Sequence, residues 1–94
     1  MKIIWDENKN KENILKHKVS FEEAETVFCD PNGKLINDPD HSNEEDRFII
    51  LGLSKILNLL VVCHCYREDD EIIRIITARK ATKNERNKYG GNLK

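Results

Sequence analysis

With 94 residues, the chain has room for one small domain, residues 1–94, and little else. Charged residues make up 35% and apolar ones 38%, which excludes a disordered tail on one side and a membrane-embedded protein on the other. Sixteen basic and 17 acidic side chains leave a formal charge of -1, but the halves differ: residues 1–47 carry a net of -5 and residues 48–94 a net of +4. No run approaches the roughly 20 apolar residues of a spanning helix. The apolar start, Ile3-Ile4-Trp5, is too short for a secretory leader, so a cytoplasmic location and no membrane contact are expected.

In chain order, Lys2 to Trp5 is a short strand candidate. Asp6 can cap a helix running to about His17, polar enough to lie on the surface, with Ile14 and Leu15 as a thin apolar face. Ser20-Phe21-Glu22-Glu23 is a capping box, in which the Ser oxygen takes an orphan amide and Glu23 reaches back. Phe21, Ala24, Val27 and Phe28 follow at helical spacing and predict a second helix with an apolar face.

Cys29-Asp30-Pro31-Asn32-Gly33 is turn chemistry, Lys34 to Asn37 a short strand candidate, and Asp38 to Asn43 a polar loop. Arg47 to Leu53, Leu57 to Arg67 and Glu71 to Arg79 are Ile-, Val- and Leu-rich runs with connections too short for helical crossovers, which predicts an antiparallel meander. Thr82-Lys83-Asn84-Glu85 is a second capping box; it opens a short basic helix ending near Tyr89, with Gly90-Gly91 as its stop. The expected fold is therefore α+β: a three- to five-stranded antiparallel sheet, two N-terminal helices on one face, and a short basic C-terminal helix. The other sheet face would be open for a ligand or partner.

Three cysteines without a leader do not suggest a disulfide framework. In Cys63-His64-Cys65, strand alternation sends both thiols one way and His64 the other, so no metal site and no cofactor are expected.

Arg47, His64, Arg67, Arg74 and Arg79 interrupt the apolar strands. Tight hairpins would set Phe48 opposite His64 and His64 opposite Arg74, so that His64, Arg74 and Tyr66 share a face and Arg47, Arg67 and Arg79 the other; a slip or bulge would redistribute them. A guanidinium stays charged and presents a planar fork to phosphate oxygens, so this density of arginine points towards phosphate recognition. His64 beside Arg74 would be kept neutral and competent as a base. From Ile72 onward seven cations accompany one acid, Glu85. Lys80, Lys83 and Arg86 flank the second capping box, and Tyr89 could stack on a base or pack against the sheet.

Taken together, these residues resemble the BrnT family, toxins of type II toxin–antitoxin systems with a fold similar to RelE-type ribonucleases. The resemblance rests on Trp5-Asp6 with Lys9, Asn13 and Lys16-His17; on Val19-Ser20-Phe21-Glu22-Glu23-Ala24; and on Asp38-Pro39-Asp40-His41-Ser42. It continues through Glu44-Glu45-Asp46-Arg47-Phe48-Ile49 with Gly52, then Ile75 to Thr82 with Glu85-Arg86 and Tyr89.

The resemblance implies a metal-independent endoribonuclease that cleaves mRNA and inhibits translation, neutralised by a BrnA-like antitoxin that alone contacts operator DNA. Arg47 and Arg79 would stabilise charge, Glu85 or His64 would transfer protons, and Arg67, Arg74, Lys80, Lys83, Arg86 and Tyr89 would bind RNA. A second reading, suggested by the near-neutral total charge, is a non-catalytic partner of a DNA-binding antitoxin that acts as transcriptional co-repressor.

Overall fold

The computed structural model describes residues 2–37 and 47–90. Strand β1 (Lys2–Ile4) leads into helix α1 (Glu7–His17), then α2 (Phe21–Thr26), a 3-10 turn (Val27–Cys29) and β2 (Lys34–Asn37). Strands β3 (Arg47–Leu53), β4 (Leu59–Arg67) and β5 (Ile72–Lys80) follow, and α3 (Lys83–Gly90) comes last. The polar loop expected at Asp38 to Asn43 and the Gly91 stop lie outside the described residues.

Local chemistry explains most boundaries. The Asp6 carboxylate accepts from the amides of Asn8 and Lys9 and so starts α1. Lys18, at φ 61°, ends it in the left-handed conformation without a glycine. Ser20 Oγ accepts from Glu23 N at 3.0 Å and starts α2. The Glu23 carboxylate, expected to reach back along its own helix, instead accepts from Ser54 Oγ at 2.7 Å and Asn58 Nδ2 at 2.8 Å. It thus ties α2 to the β3–β4 turn.

The sheet order is β1-β5-β4-β3-β2. Strands β2 to β5 are antiparallel neighbours as the short connections require, but β1 pairs with β5 in parallel. The sheet is therefore mixed, which corrects the purely antiparallel expectation. The intervening chain between β1 and β5 is long enough for a parallel return that no hairpin could make.

One face carries the main core, where Val19, Phe21, Ala24 and Val27 of the helical layer meet Ile50, Leu60, Val62, Ile75 and Ala78 of the sheet. Leu51, Leu59 and Val61 form a second cluster with Ala81 and Tyr89. These strand residues alternate with the first set, so α3 covers one end of the opposite face. Helices were expected on one face alone; the 3%-exposed Tyr89 ring shows what brings the third helix to the other.

The first helix departs most from expectation. Ile14 and Leu15 are 40% and 77% exposed, whereas Asn10 and Asn13 are 2% and 6% exposed. Asn10 Oδ1 accepts from Phe21 N at 2.8 Å, and its Nδ2 donates to Glu7 and Glu22. Asn13 Nδ2 donates to Ala78 O at 2.7 Å and Val19 O at 2.8 Å, while its Oδ1 accepts from Ala78 N at 3.1 Å. Beyond Arg74 the outer edge of β5 has no β1 partner. The Asn13 amide occupies that edge, as a neighbouring strand would, and docks α1 there.

Gly52 has a steric cause. A Cβ there would lie 2.9 Å from Val27 Cγ1 and 3.1 Å from Asp30 Oδ2. Gly52→Ala should cost about 1–3 kcal/mol by overpacking, read as a lower urea midpoint with an unchanged m-value.

Candidate RNA-binding face and active site

Register decides which polar residues meet. Phe48 does pair with His64, but His64 faces Ile75 and Arg74 faces Cys65, because the hairpin sets Arg67 opposite Ile72; the register then shifts at Cys63/His64. Cys65 is also opposite Arg47, and Arg67 lies two residues on. Through pleat alternation Arg47, Arg67, Arg74 and Arg79 therefore share one sheet face with Cys63 and Cys65. Arg74 moves from the side expected for it to the side of the other three: the hairpin register brings it opposite Cys65, and the extra residue between Ile75 and Thr77 keeps Arg79 on that side too.

His64 is left on the helix-covered face. It is fully buried (0% exposed), in edge contact with Phe28 and Tyr66 and tilted against Phe48. Its Nδ1 lies 3.2 Å from Val62 O, and Nε2 has no hydrogen-bond partner. Burial holds the imidazole below its ordinary value of 6.5, and the Val62 carbonyl only partly opposes this. Neutrality thus comes from desolvation and not from Arg74, and the ring lies away from the arginines.

The unfolded chain takes the His64 proton first as pH drops, so the contribution is whole above about pH 6.5 and is lost as pH falls through the folded value. The urea midpoint should decline between about pH 7.5 and pH 5, and His64→Phe should flatten that part of the profile. Glu85, held at about 2 against 4.5, acts at lower pH and leaves this window to the histidine.

At the α3 end of the arginine face, Arg79 and Glu85 form a bidentate pair. Arg79 Nη1 donates to Glu85 Oε1 at 2.8 Å and Nη2 to Oε2 at 2.9 Å. Glu85 Oε1 also accepts from Thr82 N at 2.8 Å, and Glu85 N donates to Thr82 Oγ1 at 3.3 Å. The capping box is thus complete, and its acid doubles as the guanidinium's orienting partner. Hydrogen bonds from Arg79, then from Thr82, outweigh burial and hold Glu85 at about 2, so it is ionised at neutral pH. The Arg79 side chain remains 39% exposed, accessible to an anion.

The face has two stations. Arg79 pairs with Val61, while Arg47 and Arg74 flank Cys65 from either side. Four residues along β4 and two strands across put the Arg47 and Arg79 Cα atoms roughly 16 Å apart. They do not form one adjacent pair. Arg67 is exposed and Arg74 half-buried, both at the Arg47 end. Lys80 follows Arg79 and takes the other side of the strand; Lys83 and Arg86 are exposed on α3.

Tyr89 is not available for stacking. Its ring is in the second core cluster and its hydroxyl donates to Asp30 Oδ2 at 2.6 Å. Burial and the neighbouring Asp30 carboxylate push the phenol up to about 12. Burial pushes Asp30 up, but the Tyr89 hydroxyl and the Leu53 and Asn32 amides together bring it below the ordinary carboxylate value. Sequence reasoning took Asp30 only as a turn residue and missed Asn10 and Asn13 as buried; their three-residue spacing on one helix face was the available signal.

Among the described residues no group of three or more His, Cys, Asp or Glu side chains is arranged to hold a metal ion, and no helix is long and apolar enough to cross a membrane. No curated protein matches the sequence. The fold is similar to the crystal structure of the ribonuclease toxin BrnT of Brucella abortus, with a TM-score of 0.67 and 27% sequence identity over 88% of this chain and 99% of that one. A family model described as the ribonuclease toxin BrnT of type II toxin–antitoxin systems matches residues 5–85. With the mixed sheet, the three helices and the arginine face all in place, this chain belongs to the BrnT family of ribonuclease toxins.

Proposed function

We propose that the chain cleaves mRNA by attack of a ribose 2′-hydroxyl on the adjacent phosphate, with protein cations in place of a metal. The O2′–P bond forms and its hydroxyl proton is taken up, the P–O5′ bond breaks with O5′ protonated by solvent water, and the products carry a 2′,3′-cyclic phosphate and a 5′-hydroxyl. The observation that carries this reading is the bidentate Arg79–Glu85 pair, exposed on a sheet face shared with three further arginines.

Arg79 stabilises the negative charge of the pentacoordinate phosphorane. A phosphate arriving on this fork competes with Glu85 for it. A carboxylate released from Arg79 returns towards its ordinary basicity and becomes the acceptor for the 2′-hydroxyl proton. Arg47, Arg74 and Arg67, too far along the sheet to share that phosphate, hold the backbone further along the strand, and Lys83 and Arg86 hold it beside α3. His64, buried under the opposite face, packs the core.

A type II toxin has an antitoxin partner; a BrnA-like DNA-binding protein fits that role, with operator DNA reached only through it. Inducible expression of the chain without its partner should arrest growth and fragment mRNA. Unchanged growth with intact mRNA, at normal levels of folded protein, would favour the non-catalytic co-repressor reading.

A further inference from the structure

A second cationic surface adjoins the arginine face. A groove runs between α1 and the β5 edge beyond Arg74, lined by Lys9, Glu12, Asn13, Lys16 and His17 on the helix and Ile76 and Thr77 on the strand. Lys9 lies four residues before Asn13 and Lys16 three after it, so both project from the same side of α1. The Asn13 amide bonds both backbone groups of Ala78, the residue before Arg79. The two lysines are thus fixed one turn either side of the strand position next to the Arg79–Glu85 pair.

Thr77 links the two surfaces. It is exposed, lines the groove, and by alternation shares the side of Arg79, roughly 7 Å along the strand. No carboxylate among the described residues forms an ion pair with Lys9 or Lys16, both of which are exposed. The one acid lining the groove, Glu12, is exposed as well.

We propose that this groove is a subsite for the RNA backbone: a single strand leaves Arg79, crosses the β5 edge at Thr77, and lays successive phosphates against Lys9 and Lys16. The inference rests on the ribonuclease reading and extends it from the scissile phosphate to the flanking strand. It makes the acidic N-terminal half a contributor of two cations to the substrate path.

The test uses full-length wild type and a Lys9→Gln/Lys16→Gln variant. Two measurements are made: anisotropy of a 2′-O-methylated, uncleavable 12-nucleotide RNA across a salt series, and kcat/KM for a long and a minimal RNA substrate. The variant should bind several-fold more weakly, and its slope of log K against log salt should fall by about 1.4, two phosphate contacts on a single strand. The ratio of kcat/KM for long over minimal substrate should drop, and Glu12→Gln should move both readouts the opposite way. Wild-type cleavage with an unchanged variant salt slope and ratio would overturn the subsite while leaving the ribonuclease reading intact. Wild-type protein that neither binds nor cleaves RNA would overturn both.

Discussion

Arg79→Ala should lower kcat for RNA cleavage by about 10²–10³, the usual effect of removing one preorganised donor from a charge-developing centre. Two features make the effect chemical. The guanidinium is held in a bidentate fork by Glu85, so it is aimed before substrate arrives. It is also 39% exposed, and an ion pair at such a site contributes only about 0–1 kcal/mol to folding. The variant should therefore keep its thermal unfolding transition while losing turnover. Arg79→Lys retains charge without the planar fork and should recover only part of the rate. An equal fall in activity and in the unfolding midpoint would assign Arg79 a structural role instead.

Asn13→Ala should be the most damaging substitution for stability on α1. It strips partners from Ala78 N–H, Ala78 C=O and Val19 C=O, and a buried backbone group left unsatisfied costs about 1–3 kcal/mol. Even allowing for water entry, a loss of roughly 3–5 kcal/mol is expected, a large share of a small domain's stability. For a chain of this size each kcal/mol moves Tm by about 4–8 °C, so a drop of some 15–30 °C should appear by calorimetry. Leu15→Ala, by contrast, truncates a 77%-exposed side chain and should stay within about 0.5 kcal/mol. Comparable losses at the two positions would mean that α1 docks through apolar contacts after all.

That comparison marks where the sequence was legible. Strands β2 and β3, both capping-box helix starts and the alternation around Cys63-His64-Cys65 could be read from local chemistry, because turn residues, caps and β-branched runs act over a few neighbours. The docking of α1 could not. Its apolar residues, Ile14 and Leu15, are displayed to solvent, and its buried contacts are amides bonded to a strand edge 65 residues away, a partner no helical periodicity encodes. The parallel β1–β5 pair is non-local in the same way.

The candidate site divides similarly. The residue types were visible as arginines breaking apolar strands, and Thr82 to Glu85 announced the capping box that fixes Arg79's partner. Their grouping was not visible, since it depends on the hairpin register, which sets Arg74 opposite Cys65, and on one extra residue in β5, which keeps Arg79 on the same face; His64 stays in the core by unbroken β4 alternation with Leu60 and Val62. For Tyr89 the structure bears out packing against the sheet and not base stacking; what an aromatic on a short polar helix gives no sign of is the acid 59 residues earlier that accepts from its hydroxyl.

The charge balance, -1 overall, no longer weighs against a polyanion substrate. Folding places Arg47, Arg67 and Arg74 at one end of a sheet face and Arg79 at the other, and the potential near a phosphate at either end depends on charges within about a Debye length, roughly 10 Å at 0.1 M salt, more than on the chain total.

The central claim, that this face cleaves RNA through the 2′-hydroxyl, is tested most directly by the chemistry of the ends. Partner-free chain incubated with a defined RNA in excess chelator, followed by mass spectrometry of the fragments, should give 2′,3′-cyclic phosphate and 5′-hydroxyl termini that vanish with Arg79→Ala. Intact RNA under folded, partner-free conditions, or fragments bearing 5′-phosphates, would contradict it.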